Sequence, residues 1–140
     1  MRTLSRLGVA LVVFTALSAA GIAAGAADLE KTPQGKAYRA QAKAAAAGDY
    51  EAYKKVTMAE GVTMMEKQLK EMGKTPKDGL QLVTMLAPQD IHFTDLKVNG
   101  KKATLTMTGK SDGQMQKGSA DLAEEGGQWK MGRQEWGPAK

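Results

Sequence analysis

Residues 124–136, EEGGQWKMGRQEW, hold both tryptophans of the chain, Trp129 and Trp136, seven positions apart in one alternating run. On a regular strand that spacing sends the two side chains to opposite faces, leaving one large ring in water. A single extra residue in the strand reverses the parity beyond it. Gly132 is the natural place, because glycine adopts the required conformations without strain. With a bulge there, Trp129, Met131, Gln134 and Trp136 share a face and both rings are expected to be mostly buried. Two other stretches carry the same shift. Met115 and Lys117 are out of phase with Ala120 and Leu122 across Gly118, and Ile91 and Phe93 with Leu96 and Val98. Slips in three strands imply a strongly bent sheet wrapped around helices.

Turn residues delimit the strands. IHFTDLKV (91–98) runs into Asn99-Gly100, a strong hairpin signal with positive φ expected at both residues. KKATLTMTGK (101–110) then alternates Ala103, Leu105 and Met107 with Thr104, Thr106 and Thr108, the pattern of a strand buried on one side. Asp112-Gly113 and Gly126-Gly127 are the next turns. The expected sheet is an antiparallel four-stranded meander over about residues 91–98, 102–110, 114–124 and 128–136.

Helices precede it. Thr32 caps and Pro33 opens GKAYRAQAKAAAA, with Ala37, Tyr38, Ala44 and Ala45 as its inner positions. Gly48 stops that helix and Asp49 caps the next, whose inner stripe is Tyr50, Tyr53 and Val56 or Thr57. A bend or restart is expected around Gly61, followed by an apolar stripe of Val62, Met65, Leu69 and Met72 up to Gly73. Thr75, Pro76 and Asp78 form a capping-box signature for a helix carrying Leu82, Val83 and Leu86, which Pro88 closes. The fold class is α+β, with N-terminal helices in the concave face of a curved four-stranded antiparallel sheet. The expected interior is Val62, Leu69, Leu82, Leu86, Leu105, Met107, Trp129 and Trp136.

The chain begins with a basic MRTLSR, an apolar LGVALVVFTALSAAGIAA and the small-residue exit Ala24-Gly25-Ala26. This is the grammar of a cleaved secretory leader over residues 1–26, followed by a loose polar terminus over 27–32 and one domain over 33–137. An uncleaved anchor is the rival reading, since the apolar run is long enough to span a bilayer. The protein is thus expected to be exported, periplasmic or extracellular, with no stable membrane span once the leader is removed. Taking residues 1–26 from the 140 leaves 114, enough for one small domain. Loss of Arg2 and Arg6 lowers the net charge from +5 to +3, with no basic cluster of the kind nucleic acid requires. With no cysteine there is neither a disulfide framework nor thiolate chemistry, and the absence of one near the leader exit excludes a lipid-anchored lipoprotein.

Candidate chemistry is sparse. Asp90 and the lone histidine, His92, share strand parity and form the one conceivable acid–base pair, read otherwise as a surface histidine beside a turn aspartate. Of nine methionines, eight remain after cleavage; an exported chain invites a copper thioether site, but Met65, Met72, Met107, Met115 and Met131 fall at core positions. No metal or other cofactor is expected. Lys97, Lys101 and Lys102 cluster at the first hairpin and read as a solvated turn. Tyr38, Tyr53, Met65, Leu69, Met107 and Trp129 are the candidate lining of a pocket for a small amphipathic ligand.

AAGDYEAYKK (46–55), KVNGKKATLTMTG (97–109) and GGQWKMGRQEW (126–136) together resemble the small exported members of the nuclear-transport-factor-2-like (cystatin-like) superfamily. The resemblance covers about residues 33–136 and implies helices held in the concavity of a curved sheet. It departs from the family over residues 59–75, which read as helix where the full pattern has a short hairpin. The superfamily includes enzymes and binding proteins, so fold alone does not choose between them. The reading is an exported, non-enzymatic binding or interaction module whose partner is a small amphipathic ligand or an envelope protein. The alternatives are a pocket enzyme of isomerase, dehydratase or cyclase type, and a structural envelope component docking through its sheet face, with which a homodimer is compatible. N-terminal sequencing of the exported form is expected to start at or near Ala27. Retention of residues 7–24 would instead mean an anchored protein.

Overall fold

The computed structural model describes residues 26–139. The leader expected over residues 1–26 lies, but for its last residue, outside them. Five helices precede four strands: α1 (Ala26–Glu30), α2 (Pro33–Ala47), α3 (Tyr50–Lys55), α4 (Ala59–Glu71), α5 (Pro76–Leu86), β1 (Gln89–Asn99), β2 (Lys102–Ser111), β3 (Gln114–Glu125) and β4 (Gln128–Pro138). The strands form one open antiparallel sheet in sequence order, β1-β2-β3-β4.

The helix starts follow from side-chain caps. Thr32 Oγ1 accepts from Gly35 N at 3.0 Å, Asp49 Oδ1 from Ala52 N at 3.1 Å, and Thr75 with Asp78 closes a capping box. The terminus expected to be loose is instead folded: α1 buries Leu29, 1% exposed, in the main core. Arg39 holds α1 in place through Glu30, at 2.9 and 2.6 Å, and also donates to the Ile91 carbonyl at 2.8 Å. Its guanidinium lies 4.6 Å from the centre of the Phe93 ring, which meets Tyr38 edge-on. One arginine therefore joins α1, α2 and β1. The helical break falls at Val56–Met58, not at Gly61. There Met58 N–H donates to the Met131 carbonyl at 2.8 Å and Met131 N–H to the Val56 carbonyl at 2.7 Å, so the chain leaves the helix to pair with β4.

The bulge expected in β4 is present. Met131 faces Leu122 and Gln134 faces Ala120, so Gly132 and Arg133 together oppose the single residue Asp121. Trp129, Met131, Gln134 and Trp136 consequently share one side, although both indoles are half-buried rather than sealed. β1 is bulged as well, once between Gln89 and His92 and once between Phe93 and Asp95. The slip expected at Gly118 is absent: β3 pairs with β2 without interruption, and Met115 points outward into solvent. Gly118 has another role. It lies opposite Trp136, and a Cβ there would come within 2.6 Å of the indole.

Two further expectations are corrected. Asn99 does not take positive φ; the loop is Gly100–Lys101, with Asn99 paired to Lys102 and positive φ at Gly100 alone among the three. Positive φ at both loop residues occurs at Asp112-Gly113 and Gly126-Gly127, as two-residue type I′ hairpins require. Leu82 and Leu86, expected in the interior, are 41% and 73% exposed, and Met72 is exposed too. α4 meets α5 tightly only where Leu69 and Met65 press on Gly79. Farther along α5, no described residue covers Leu82, Val83, Met85 and Leu86, which are all exposed. Leu69, Leu105 and Met107 are buried as expected. The rest of the core is Leu29, Phe93, Leu96, Leu122 and Met131, with Leu80 buried among α2 and α3 residues.

Gly118→Val should destabilise the fold by about 1–3 kcal/mol, through overpacking against Trp136. Gly137→Val, where a Cβ meets nothing within 4 Å, should stay within about 0.5 kcal/mol of the parent. Urea unfolding of the two variants measures the difference.

Candidate functional site

A groove lies between α4 and α5. Its walls are Gly61 and Met65 of α4 and Val83 and Leu86 of α5, with Ala87 and Pro88 beyond, and it reaches β4 at Gly132, Gln134 and Trp136. Its volume is about 380 Å³, and an adjoining hollow of about 300 Å³ extends past Ala45 and Ile91. The two share Tyr38, Gln41, Tyr53, Val83, Ala87, Pro88 and Gln134. Volumes of this order suit a small molecule.

A directional chain of hydrogen bonds runs along the groove. Trp136 Nε1 donates to Gln134 Oε1 at 3.4 Å, Gln134 Nε2 to Gln41 Oε1 at 3.2 Å, and Gln41 Nε2 to Thr57 Oγ1 at 2.9 Å. Thr57 Oγ1 ends the chain on the Tyr53 carbonyl at 2.6 Å. The last links, Gln41 and Thr57, are buried, where a hydrogen bond gains strength and an unpaired group is costly. This chain ties β4 to α2, and α2 to the break between α3 and α4. Each glutamine amide keeps a second N–H that the chain does not use.

Tyr38 and Tyr53 differ from these groups. They are 5% and 9% exposed, yet neither hydroxyl hydrogen-bonds to another described residue. Neither is sealed away, because no fully enclosed side-chain polar atom lacks a partner among the described residues. Both tyrosines line the groove and its adjoining hollow. Burial pushes the Tyr38 phenol up to about 12 and raises that of Tyr53, so both remain neutral at ordinary pH. Tyr50 lies apart, donating to Glu66 Oε2 at 2.6 Å, and its phenol is raised first by burial and then by that hydrogen bond.

Among the described residues no Asp, Glu, His, Lys or Arg lines either hollow. Among the described residues no group of three acidic, histidine or cysteine side chains could hold a metal ion, and no helix is long and apolar enough to cross a membrane. Of the residues expected to line a pocket, Tyr38, Tyr53 and Met65 meet in the groove. Leu69 is buried beneath Gly79, Met107 lies in the sheet core opposite Phe93, and Trp129 packs against the core at the far end of β4. Asp90 and His92 are both exposed at the bulged start of β1, with no hydrogen bond or ion pair between them. Asp90 takes φ 52° there, and the bulge turns His92 to the side of Thr108, away from the core. Sequence reasoning missed Gln41 and Gln134 as site residues; the bulge, which turns Gln134 inward, was the usable signal for one of them.

Compared with protein-family models, curated proteins and solved structures, the chain matches none significantly.

All three tyrosines of the chain hold their protons above the ordinary value of 10.0. Ultraviolet difference absorbance of the folded protein should therefore show little tyrosinate at that pH. Between 10.0 and about 12 the unfolded chain releases protons that folded Tyr38 retains, so stability should fall as pH rises through this window. Tyr38→Phe should flatten that fall, which urea unfolding at a series of alkaline pH values would measure.

Proposed function

We propose that the protein is an exported, non-enzymatic binding module of the nuclear-transport-factor-2-like kind, which holds a small amphipathic ligand in the groove between α4, α5 and β4. The observation that carries this reading is a pair of tyrosines, Tyr38 and Tyr53, that are 5% and 9% exposed, have no hydrogen-bond partner for their hydroxyls among the described residues, and line a largely apolar hollow. Neither hydroxyl is fully enclosed, so both keep hydrogen-bonding capacity for a bound molecule. Two such tyrosines on one groove suit a ligand oxygen. The order of helices before an antiparallel meander, with bulges in β1 and β4, supports reading the sheet as curved around α2, as the resemblance implies. Residues 59–71 being helical supports a groove walled by two helices in place of the family's hairpin. The isomerase-type alternative finds no support in the groove, whose lining includes neither Asp90 nor His92.

N-phenylnaphthylamine, an uncharged fluorophore that brightens in apolar surroundings, tests the reading. The purified protein should bind it saturably at one site. Leu86→Glu places a charge on the groove wall at an exposed position that tolerates it, and should weaken binding by about tenfold or more, as an unpaired charge does when desolvated. Binding that does not saturate, or that ignores Leu86→Glu, would overturn the proposal.

A further inference from the structure

The geometry points to a neutral amphiphile as the ligand: its head, bearing a hydroxyl or carbonyl oxygen, inserts between Tyr38 and Tyr53, and its apolar part leaves over Val83 and Leu86. This rests on the groove being a binding site, and adds to it the chemical class and the orientation of the occupant.

The orientation follows from where the hydrogen-bonding capacity lies. Among the described residues, the unused donors on buried lining residues are the phenol hydroxyls of Tyr38 and Tyr53 and the second amide N–H of Gln41; Gln134 adds another at the exposed side. Toward Val83 and Leu86 the wall offers only carbon. Leu86 is 73% exposed and Val83 40%. An apolar chain lying along these two side chains gains by leaving water, whereas a polar head placed there gains nothing. Head inward and chain outward is the arrangement that satisfies both ends.

The charge class follows from what is missing from the lining. A carboxylate or phosphate entering between the tyrosines would meet no cation, and an ammonium would meet no anion. Desolvating an unpaired ion is far more costly than desolvating an alcohol that gains hydrogen bonds. Tyrosine hydroxyls both donate and accept, so an alcohol, an ester or an amide is served by the same pair.

Displacement of bound N-phenylnaphthylamine by decanol, decanoate and decylammonium at neutral pH separates the classes. Decanol should displace the probe, and the two ions should require at least about tenfold higher concentration. As the pH is lowered through the carboxyl range, decanoate should approach decanol while decylammonium does not. The double variant Tyr38→Phe with Tyr53→Phe keeps the ring volumes, and its own affinity for the probe is the reference for decanol displacement. Its affinity for decanol should drop by about threefold to tenfold or more, the worth of one or two neutral hydrogen bonds. Ions displacing the probe as well as decanol does, or decanol binding the double variant undiminished, would overturn the assignment and leave the groove reading standing. A probe that never binds the parent protein would overturn both.

Discussion

The extra residue in β4 is the constraint from which the rest of the architecture follows. Met131 must face the core, and the chain five residues on must lay an indole against Gly118 on the same side. A regular ladder cannot do both, because alternation would turn Trp136 outward. Two residues opposite Asp121 resolve the conflict at the cost of about one ladder hydrogen bond, roughly 1 kcal/mol. The same step turns Gln134 toward α2, where it meets Gln41, and Gln41 fixes Thr57 at the helical break. The break in turn pairs with β4 just before the bulge. A local insertion in one strand thus sets the position of three helices and the floor of the groove.

The parts of the fold legible in the sequence were those governed by local stereochemistry. Thr32, Asp49 and Thr75 announce helix starts because an uncompensated N–H needs an oxygen within three residues, and each supplies one. The strand order was legible because two-residue turns leave consecutive strands no choice but to pair. Gly118 was misread because a parity change has two causes that look alike in one dimension. A strand can slip, or it can carry a methionine on its wet face, and only the partner strand distinguishes them. The Asn99-Gly100 turn failed by one residue for a similar reason. The loop phase is set by how β1 and β2 pair, and β1 carries two bulges.

Part of the site was legible: Tyr38, Tyr53 and Met65 were expected to line a pocket and line the groove. Leu82 and Leu86 were expected inside, but an apolar residue on a helix does not say whether a neighbour reaches it. α4 meets α5 at Leu69, and Leu86, which read as core, is instead exposed on the groove wall. Gln41 was invisible because a glutamine in an alanine-rich helix looks like any solvated polar residue. Its burial depends on Gln134, ninety-three positions away, being turned inward by the bulge.

The pairing of Val56–Met58 with Met131 also bears on how the outer edges of the sheet are protected. An open sheet exposes rows of unsatisfied N–H and C=O groups along its outer strands, the templates on which further strands accumulate. On β4 those groups are already occupied at Met131, and the bulge beside it deflects the backbone. On β1, two irregularities within seven residues, the left-handed Asp90 and the guanidinium on the Ile91 carbonyl interrupt the row on the other side. The regular backbone left on each margin is thereby cut to short runs, the longest being Asp95–Asn99 on β1 and Gln134–Pro138 on β4. Irregularities of this kind blunt a sheet edge as a template for fibre-like pairing.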